Sequence, residues 1–470
     1  AIGCDLDEMK TMIGKLEKDQ SALLKQLGAR ILGEANDLKR TPDALAKEMG
    51  LELNFVNGII AGKQNLEQVR NFIWTMAEIY PISIADLWLD ADDTNDGILI
   101  TRAEDSASSS RIFERPDSTG ILSSYYEYRD TAMSRTAPFR PEWIKQLRLV
   151  EDSDPANPNV AFNNGHLLHQ MTFFIGAVNF YWEIDGEKYC AEMNTGDSCL
   201  IMPYVPHSFT KRKQGEIGLV IAVTFGGEVR RSISEIMHIG VDHVEEMAGD
   251  LRDDSAYVSR LNSALNSEML TVKDLSYHLE SAGVAGPRAS SLALGREKPN
   301  HTELKEIAAC LNLRPNDLIV PSMNAGDAVT IKMSSETPAR AFPSGQNNCH
   351  QIKDLARSPL LPNIKGFDIH IGRTKHQNIL HGFHEYLFVY GDSPVSMVWG
   401  KDKVHQDTLM PGDSAYFRPM IERQFSCESK EGRLLCVRVP SRLNNEVLNE
   451  YASFPKGLRK RVAKETMKWF

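Results

Sequence analysis

The stretches NNGHLLHQMTFF (163–174) and GDSCLIMPYVPHSF (196–209) decide the fold of this chain. Each joins a turn signal to a run of apolar, aromatic or β-branched residues, a composition typical of a short strand. Similar runs, NFYWEI and GLVIAVTF, occur nearby, and turn signals such as Asp185-Gly186 separate them. Short strands at this spacing between about residues 120 and 226 predict an antiparallel barrel or jelly roll.

Two histidines and a glutamine in these stretches predict a common site. Alternate side chains of a strand lie on one face, so His166, Leu168 and Gln170 share a face and His169 points the other way. His207 follows Gln170 by 37 residues, on a later strand. Neighbouring strands of a small barrel would aim His166, Gln170 and His207 into one cavity. Two imidazoles and one oxygen donor with open positions are typical of non-haem Fe(II) sites; the alternative is that they are isolated polar residues of a β-protein.

The region before the barrel is predicted to be helical. In TPDALAKEMG, Thr41 is a helix N-cap, Pro42 suits the first helical position and Gly50 is a stop signal. The apolar patterns LNFVNGIIAG and NLEQVRNFIWTMAEIY follow. Three or four short helices between residues 20 and 90, with a tight turn, indicate a helix-turn-helix module.

The whole order then repeats. IADLW near Asp86 is echoed by PNDLI near Asp317, and the GDS at Gly196 recurs at Gly412. We therefore predict an α+β chain built as a tandem repeat of a helix-turn-helix-like module and a β-barrel. The predicted units are a helical module at 1–105, a catalytic barrel at 106–240, a second helical module at 241–325 and a second, degenerate barrel at 326–470.

The second copy of the site differs from the first. At offsets of 215 and 216 residues the repeat replaces the glutamine by a carboxylate and one histidine by a cation, which would repel a metal. The aligned pairs are His166 with His381, Gln170 with Glu385, Asn163 with Asn378, and His207 with Arg423. We expect one metal site per chain, in the first barrel.

Composition narrows the class of protein. The 470 residues carry 53 Lys and Arg against 63 Asp and Glu, a net charge of −10, so the chain offers no general attraction for nucleic acid. The seven cysteines are scattered without a C-x-x-C pair, which favours a reducing, cytoplasmic location. No apolar run approaches the ~20 residues that span a bilayer. A transcription factor with a barrel sensor remains the alternative, because helix-turn-helix modules often bind DNA.

A helix-turn-helix followed by a barrel with N-x-x-H-x-x-x-(E/Q) and a later P-H-(S/A)-F resembles the cupin family of phosphonate-processing non-haem iron enzymes. The resemblance covers nearly the whole chain and implies cupin jelly-roll barrels. The family's epoxidase branch has Glu at the position of Gln170, and its dioxygenase branch has Glu at the position of Ile201. Gln and Ile together point to the branch that forms methylphosphonate.

The resemblance implies a reaction and a site. Fe(II) held by His166, Gln170 and His207 would cleave the C–C bond of 2-hydroxyethylphosphonate with O2, giving methylphosphonate and a one-carbon product. The alternative is the dioxygenase outcome, hydroxymethylphosphonate and formate. A homo-oligomer is expected, because the helical-module lysine of the family can reach a neighbouring subunit. The residues that match the family's substrate-binding positions are Lys39, Tyr126, Tyr128 and Asn163. The family's phosphonate-binding arginine aligns near Thr119 or Gly120, and neither Arg111 nor Arg115 is assigned in its place.

Overall fold

The computed structural model describes residues 6–345, 350–373, 380–429 and 432–469. The region before the strands is helical, although its first helix is far longer than the short elements expected. Thr41 accepts a hydrogen bond from the Ala44 N–H, and Gly50 ends that helix at φ 66°, as predicted. The helices are α1 (Leu6–Asp37), α2 (Pro42–Met49), α3 (Leu53–Ile60), α4 (Leu66–Ile79) and α5 (Ile84–Leu87).

The first barrel region contains short antiparallel strands, as the sequence predicted. Asp185 and Gly186 have positive φ values of 52° and 83°, which suits a tight hairpin turn. The elements are β1 (Ile98–Thr101), α6 (Ala103–Ser108), β2 (Arg111–Pro116), β3 (Leu122–Asp130), β4 (Phe139–Gln146), β5 (His169–Gly176), β6 (Val178–Ile184), β7 (Glu187–Met193), β8 (Ser198–Ile201), β9 (His207–Lys211) and β10 (Gly218–Phe225).

Three short helices and a second helical module lead to the second set of strands. The helices are α7 (Glu228–Arg231), α8 (Ile233–Ile239), α9 (Val241–Ala248), α10 (Ser255–Ser267), α11 (Val272–Ser281), α12 (Gly286–Ala293) and α13 (His301–Cys310). The strands are β11 (Val329–Lys332), β12 (Arg340–Phe342), β13 (His350–Asp354), β14 (Lys365–His370), β15 (Phe383–Val389), β16 (Val395–Trp399), β17 (His405–Leu409), β18 (Ser414–Phe417), β19 (Arg423–Ser426) and β20 (Arg433–Pro440), before α14 (Asn445–Ser453).

The two halves have the same sheet order and exchange one strand. The first half forms the sheet β11-β8-β5-β10-β4-β3-β2 and a facing sheet β7-β6-β9. The second half forms β1-β18-β15-β20-β14-β13-β12 and β17-β16-β19. β1 therefore belongs to the second half's sheet, and β11 to the first half's sheet. This reciprocal pairing crosses the unit boundaries predicted from the sequence and ties the halves together.

Apolar clusters separate the four sheets into layers. Met171 and Phe173 pack with Tyr386 and Leu435 between the two seven-stranded sheets. Phe174, one residue further along β5, packs inside the first half. This alternation is the reason why Gln170 and Thr172 face the interior of the first half. Among the described residues, none of the helices has both the length and the apolarity needed to cross a bilayer.

Candidate metal centre

The loops that precede β5 and β9 meet at the site and are held together by backbone hydrogen bonds. β5 begins at His169, so His166 lies in the loop before the strand and not on it as the sequence analysis assumed. The His166 carbonyl accepts from the Tyr204 N–H at 2.8 Å. Gly165, at φ 69°, makes this approach possible, because a Cβ there would lie 2.4 Å from the Tyr204 backbone. The loop before β5 is thereby pinned to the loop before β9.

The structure brings His166, Gln170 and His207 together. The Nε2 atom of His166 lies 3.3 Å from Oε1 of Gln170. The two imidazole rings are 5.5 Å apart between centroids and perpendicular. Gln170 and His207 are only 4% and 5% exposed. His169, in contrast, stacks on Phe225 at 5.6 Å on the other face of the strand, as predicted.

Hydrogen bonds to the backbone orient both imidazoles. Nδ1 of His166 donates to the Leu168 carbonyl and Nδ1 of His207 donates to the Val205 carbonyl, each at 2.9 Å. A carbonyl oxygen only accepts, so each neutral ring has its proton on Nδ1 and a lone pair on Nε2. Burial lowers the pKa of His207 to about 4, which keeps this ring neutral near pH 7.

The glutamine amide is oriented as well. Its Nε2 donates to Oγ1 of Thr172 at 2.9 Å, so Oε1 faces His166. The lone pairs of Gln170 Oε1 and His166 Nε2 therefore face each other across 3.3 Å. Two acceptor atoms that face each other at this distance can share a bound cation, and the donor set suits a mononuclear Fe(II) site. Sequence reasoning missed Thr172.

Asn163 links the two histidine loops. Its Oδ1 accepts from the backbone N–H groups of His207, at 2.9 Å, and Gly165, at 3.0 Å. Its Nδ2 consequently points at Nε2 of His207, 3.1 Å away. Asn163 thus fixes His207 and places an amide N–H beside the candidate metal position.

A cavity of about 100 Å³ opens over these residues. The predicted Tyr126, Tyr128 and Asn163 line it, and so do Arg115 and Glu142. Arg111 instead pairs with Asp130 at 2.8 Å. The structure therefore places Arg115 in the cavity, although the sequence alignment could not choose between the two arginines.

The two predicted tyrosines differ in what their hydroxyls do. The Tyr126 hydroxyl accepts from the Phe209 N–H at 2.9 Å and lies 3.3 Å from Ser208 Oγ. The Tyr128 hydroxyl forms no hydrogen bond within the described part of the chain, and burial raises its pKa to about 12. Tyr128 is thus a protonated donor that remains available to a bound anion.

Glu142 is a second cavity residue that the sequence analysis missed. It pairs with Ala222 across β4 and β10, and Ala222 pairs with Thr172 on β5. Burial raises the pKa of the Glu142 carboxyl, and nearby His166 and Arg111 offset part of that shift. Only the cross-strand register brings Glu142 to the site.

Lys39 lies elsewhere and does not line the cavity of its own chain. Its ammonium donates to the carbonyls of Asn36 and Asp37, both at 3.3 Å, at the end of α1. It also lies 4.2 Å from the centroid of the Trp469 ring. Asn36 holds the C-terminal segment there, because its Nδ2 donates to the Met467 carbonyl at 3.1 Å.

The equivalent position in the second half is filled by an ion-pair network. Nε of Arg423 donates to Glu385 at 2.7 Å, and Arg438 donates to the same carboxylate at 2.5 Å. Burial would raise the pKa of Glu385, but the two arginines hold it well below its usual range. Nη2 of Arg423 lies 2.6 Å from Nε2 of His381, where a metal would bind. Asn378 lies outside the described residues.

The candidate site differs from conventional metal sites in its third ligand, an amide. Across the ranges that the structure describes, no three His, Cys, Asp or Glu side chains are arranged to hold a metal ion. The fold and the donor set together define a duplicated α+β protein with a candidate site of two histidines and one amide.

No protein-family model matches the sequence. The chain is 34% identical over 467 residues to the methylphosphonate synthase of Nitrosopumilus maritimus (strain SCM1), an alignment covering 97% of this chain and 98% of that protein. The chain therefore belongs to the methylphosphonate synthase family, in agreement with the resemblance noted in the sequence.

Solved structures of hydroxyethylphosphonate dioxygenases are also similar to this chain. The Streptomyces albus hydroxyethylphosphonate dioxygenase, with Fe(II) and its substrate 2-hydroxyethylphosphonate bound, has a TM-score of 0.86 and 32% identity to this chain. The alignment covers 96% of this chain and 99% of that one. A second hydroxyethylphosphonate dioxygenase, a point variant, has a TM-score of 0.71 over 93% of this chain and 99% of its own, at 19% identity, which shows the fold alone.

Proposed function

We propose that this chain is a mononuclear non-haem Fe(II) oxygenase that cleaves the C–C bond of 2-hydroxyethylphosphonate with O2, giving methylphosphonate and a one-carbon product. The observation that carries the proposal is the orientation of Gln170. Its amide oxygen faces Nε2 of His166, and its neighbour on β8 is the apolar Ile201. Membership of the methylphosphonate synthase family supports the substrate and the product.

Nε2 of His166, Nε2 of His207 and Oε1 of Gln170 would hold the iron. Bound Fe(II) would supply O2 activation and the redox chemistry of the cleavage. The chain's own task is to keep both rings in one tautomer and the amide in one orientation, which the Leu168 and Val205 carbonyls and Thr172 do.

This donor set is neutral, so the protein leaves both positive charges of Fe(II) uncompensated. An anionic substrate supplies the missing charge, and we expect iron and substrate to strengthen each other's binding. The raised pKa of Glu142 fits this scheme, because burial disfavours a second negative charge beside the phosphonate.

Three donors would bind the phosphonate. Arg115 offers a guanidinium that pairs well with phosphonate oxygens, and Tyr128 offers a free, protonated hydroxyl. Asn163 offers the amide N–H that now lies beside His207, and iron binding at that imidazole would release it. Tyr126 has the supporting role of positioning β9 through Phe209.

Lys39 would complete the anion site from a second copy of the chain, so the active form would be a homo-oligomer. The lysine is absent from the cavity of its own chain but is held in a fixed position by Asn36 and Trp469. Mixing inactive Lys39→Ala and His207→Ala chains tests this idea. Mixed oligomers should regain activity if Lys39 acts across subunits, and no recovery would place Lys39 outside the site.

For the architecture we propose two cupin jelly rolls, each preceded by a helix-turn-helix-like module, with the units bounded near residues 105, 240 and 325. Facing antiparallel sheets in the same order in both halves support this assignment. The second barrel would be structural, because the Arg423–Glu385 pair fills its metal position.

The dioxygenase outcome, hydroxymethylphosphonate and formate, is a second candidate because of the similarity to the Streptomyces albus enzyme. Phosphorus NMR separates the two after anaerobic Fe(II) loading and addition of O2 and 2-hydroxyethylphosphonate. We expect a methylphosphonate signal, and hydroxymethylphosphonate as sole product would overturn the synthase proposal.

Variants of two histidines provide the matched control for that assay. His207→Ala should abolish turnover, whereas His169→Gln should retain it, because His169 faces away from the site. Full turnover by His207→Ala would refute the metal site itself.

A further inference from the structure

A wide cleft with a volume of about 620 Å³ lies where the first helical module and both barrels meet. Trp88 and Leu89 reach it from the end of α5, and His384 reaches it from β15. Its volume is within the range of small-molecule sites, ~300–1,000 Å³. None of the residues assigned to the metal centre lines it. The arginines that line it are Arg135, Arg140, Arg230, Arg231 and Arg442.

Most of these arginines have no acidic partner. Arg231 pairs with Glu228, but within the described ranges the other four form no ion pair. Arg140 donates only to the carbonyls of Ala137 and Phe139, at 3.2 and 3.0 Å. Asp90 is the one carboxylate among the residues that line the cleft. In a chain with a net charge of −10, this concentration of guanidinium groups creates a local positive field.

The floor of the cleft is bare backbone. It consists of Gly226 and Gly227, directly after β10. A Cβ on Gly226 would lie 2.5 Å from Cδ of Arg230, so the glycine lets this arginine fold over the floor. The lining also includes the apolar residues Trp88, Leu89 and Pro138. Guanidinium groups together with an indole suit a ligand that has an anionic part and an apolar or aromatic part.

We propose that this cleft binds a small polyphosphate anion, in which two or more linked phosphates contact the unpaired arginines. Guanidinium groups donate paired hydrogen bonds that match phosphate oxygens, and four of them offer enough donors for two linked phosphates. Inorganic pyrophosphate and a nucleoside diphosphate share this chemistry. The nucleoside diphosphate would in addition place its base against Trp88.

The cleft is also connected to the metal centre. Arg140 pairs with Thr224 and Thr224 with Gln170 along one row of the sheet, and Thr224 Oγ1 donates to the Arg140 carbonyl at 3.1 Å. Two strand spacings, ~10 Å, separate the backbones of Arg140 and Gln170. A ligand that contacts Arg140 would thus touch β4, which is two strands away from β5 and its Gln170.

Isothermal titration calorimetry of the metal-free 470-residue chain at low salt, with pyrophosphate, ADP and adenosine in separate titrations, tests the proposal. Pyrophosphate and ADP should bind one per chain, and adenosine should not bind. Tighter binding of ADP than of pyrophosphate identifies the nucleotide as the source, and equal binding identifies the phosphates alone. No binding of either anion at millimolar concentration would overturn the proposal.

Charge variants locate the site. Arg230→Glu with Arg442→Glu should weaken binding at least tenfold, whereas the matched pair Arg252→Glu with Arg296→Glu, outside the cleft, should change it less than threefold. If the first pair does not fold, Arg230→Gln with Arg442→Gln replaces it. Equal loss in both pairs would show non-specific attraction and overturn the proposal, as would binding of a DNA duplex in preference to ADP. Metal-free protein makes these results independent of the oxygenase reaction.

Discussion

Replacing Thr172 by valine removes the acceptor that orients the Gln170 amide while keeping the shape of the side chain. The hydroxyl accepts from Gln170 Nε2 at 2.9 Å, and the two side chains are 0% and 4% exposed. In Thr172→Val the amide N–H loses the one hydrogen-bond acceptor that it has among the described residues. Its oxygen is then no longer held toward His166.

The size of the effect follows from that hydrogen bond. Leaving a buried donor without a partner costs ~1–3 kcal/mol. Groups that orient a metal ligand typically contribute ~10- to 100-fold to metal affinity, which is ~1.4–2.8 kcal/mol. The two ranges agree, so we expect Fe(II) to bind about 10- to 100-fold more weakly to Thr172→Val.

Anaerobic Fe(II) titration against a chromophoric chelator measures this affinity without depending on turnover. Thr172→Ser is the matched control, because it keeps the hydroxyl and should bind Fe(II) within about threefold of the parent chain. Thermal unfolding of the metal-free variants checks that both are folded. Parental affinity in Thr172→Val, or equal loss in Thr172→Ser, would refute the idea that this hydroxyl orients the ligand.

Three further predictions concern stability. Burial raises the pKa of the Glu142 carboxyl in the folded chain above its value in the unfolded chain. Its contribution to folding stability is therefore fully present below the unfolded-state pKa and is lost as the pH rises through the folded-state pKa. Glu142→Gln should therefore raise the melting temperature at pH 8 more than at pH 4, and an equal change at both would contradict the sign. Arg423→Met leaves the buried Glu385 carboxylate with one cation fewer and should lower the free energy of unfolding, measured in urea, by ~3 kcal/mol. A loss below ~1 kcal/mol would show that Arg438 alone compensates the charge of Glu385. Burial and Arg418 lower the pKa of the His384 imidazole from 6.5 to about 4. As the pH falls between those values, the unfolded chain binds a proton at this ring before the folded chain does, so the free energy of unfolding decreases. Since the ring is partly exposed we expect a loss of up to ~2 kcal/mol, which His384→Gln should remove.

Much of the site could be predicted from local sequence patterns. The alternation of side chains on β5 separated Gln170 from His169, and the helix signals at Thr41 and Gly50 marked α2. These patterns depend on residues within one element, so a single sequence contains them. The error at His166 has the same origin, because its alternation was extended back beyond the start of the strand.

The placement of Arg115 at the cavity depends on the register between two strands. β2 pairs with β3 through a register shift between Phe113 and Glu114, and this bulge accompanies the placement of Arg115 at the cavity. No spacing in the sequence shows where such a shift occurs. The sequence did not predict the exchange of β1 and β11 between the halves either. Both strands are only four residues long, and such a short strand could pair with the edge of either sheet.

The sequence by itself indicated the candidate ligands, two histidines and an amide, together with the duplication and the family. Tertiary structure alone decided that Thr172, Glu142 and Arg115 join the site, that Lys39 stays outside its own cavity, and that five arginines share a cleft. The physical reason is the distance along the chain between the residues that interact. Periodicity within one element is written in consecutive residues, whereas cross-strand register and packing between halves are set by contacts among residues far apart in the chain.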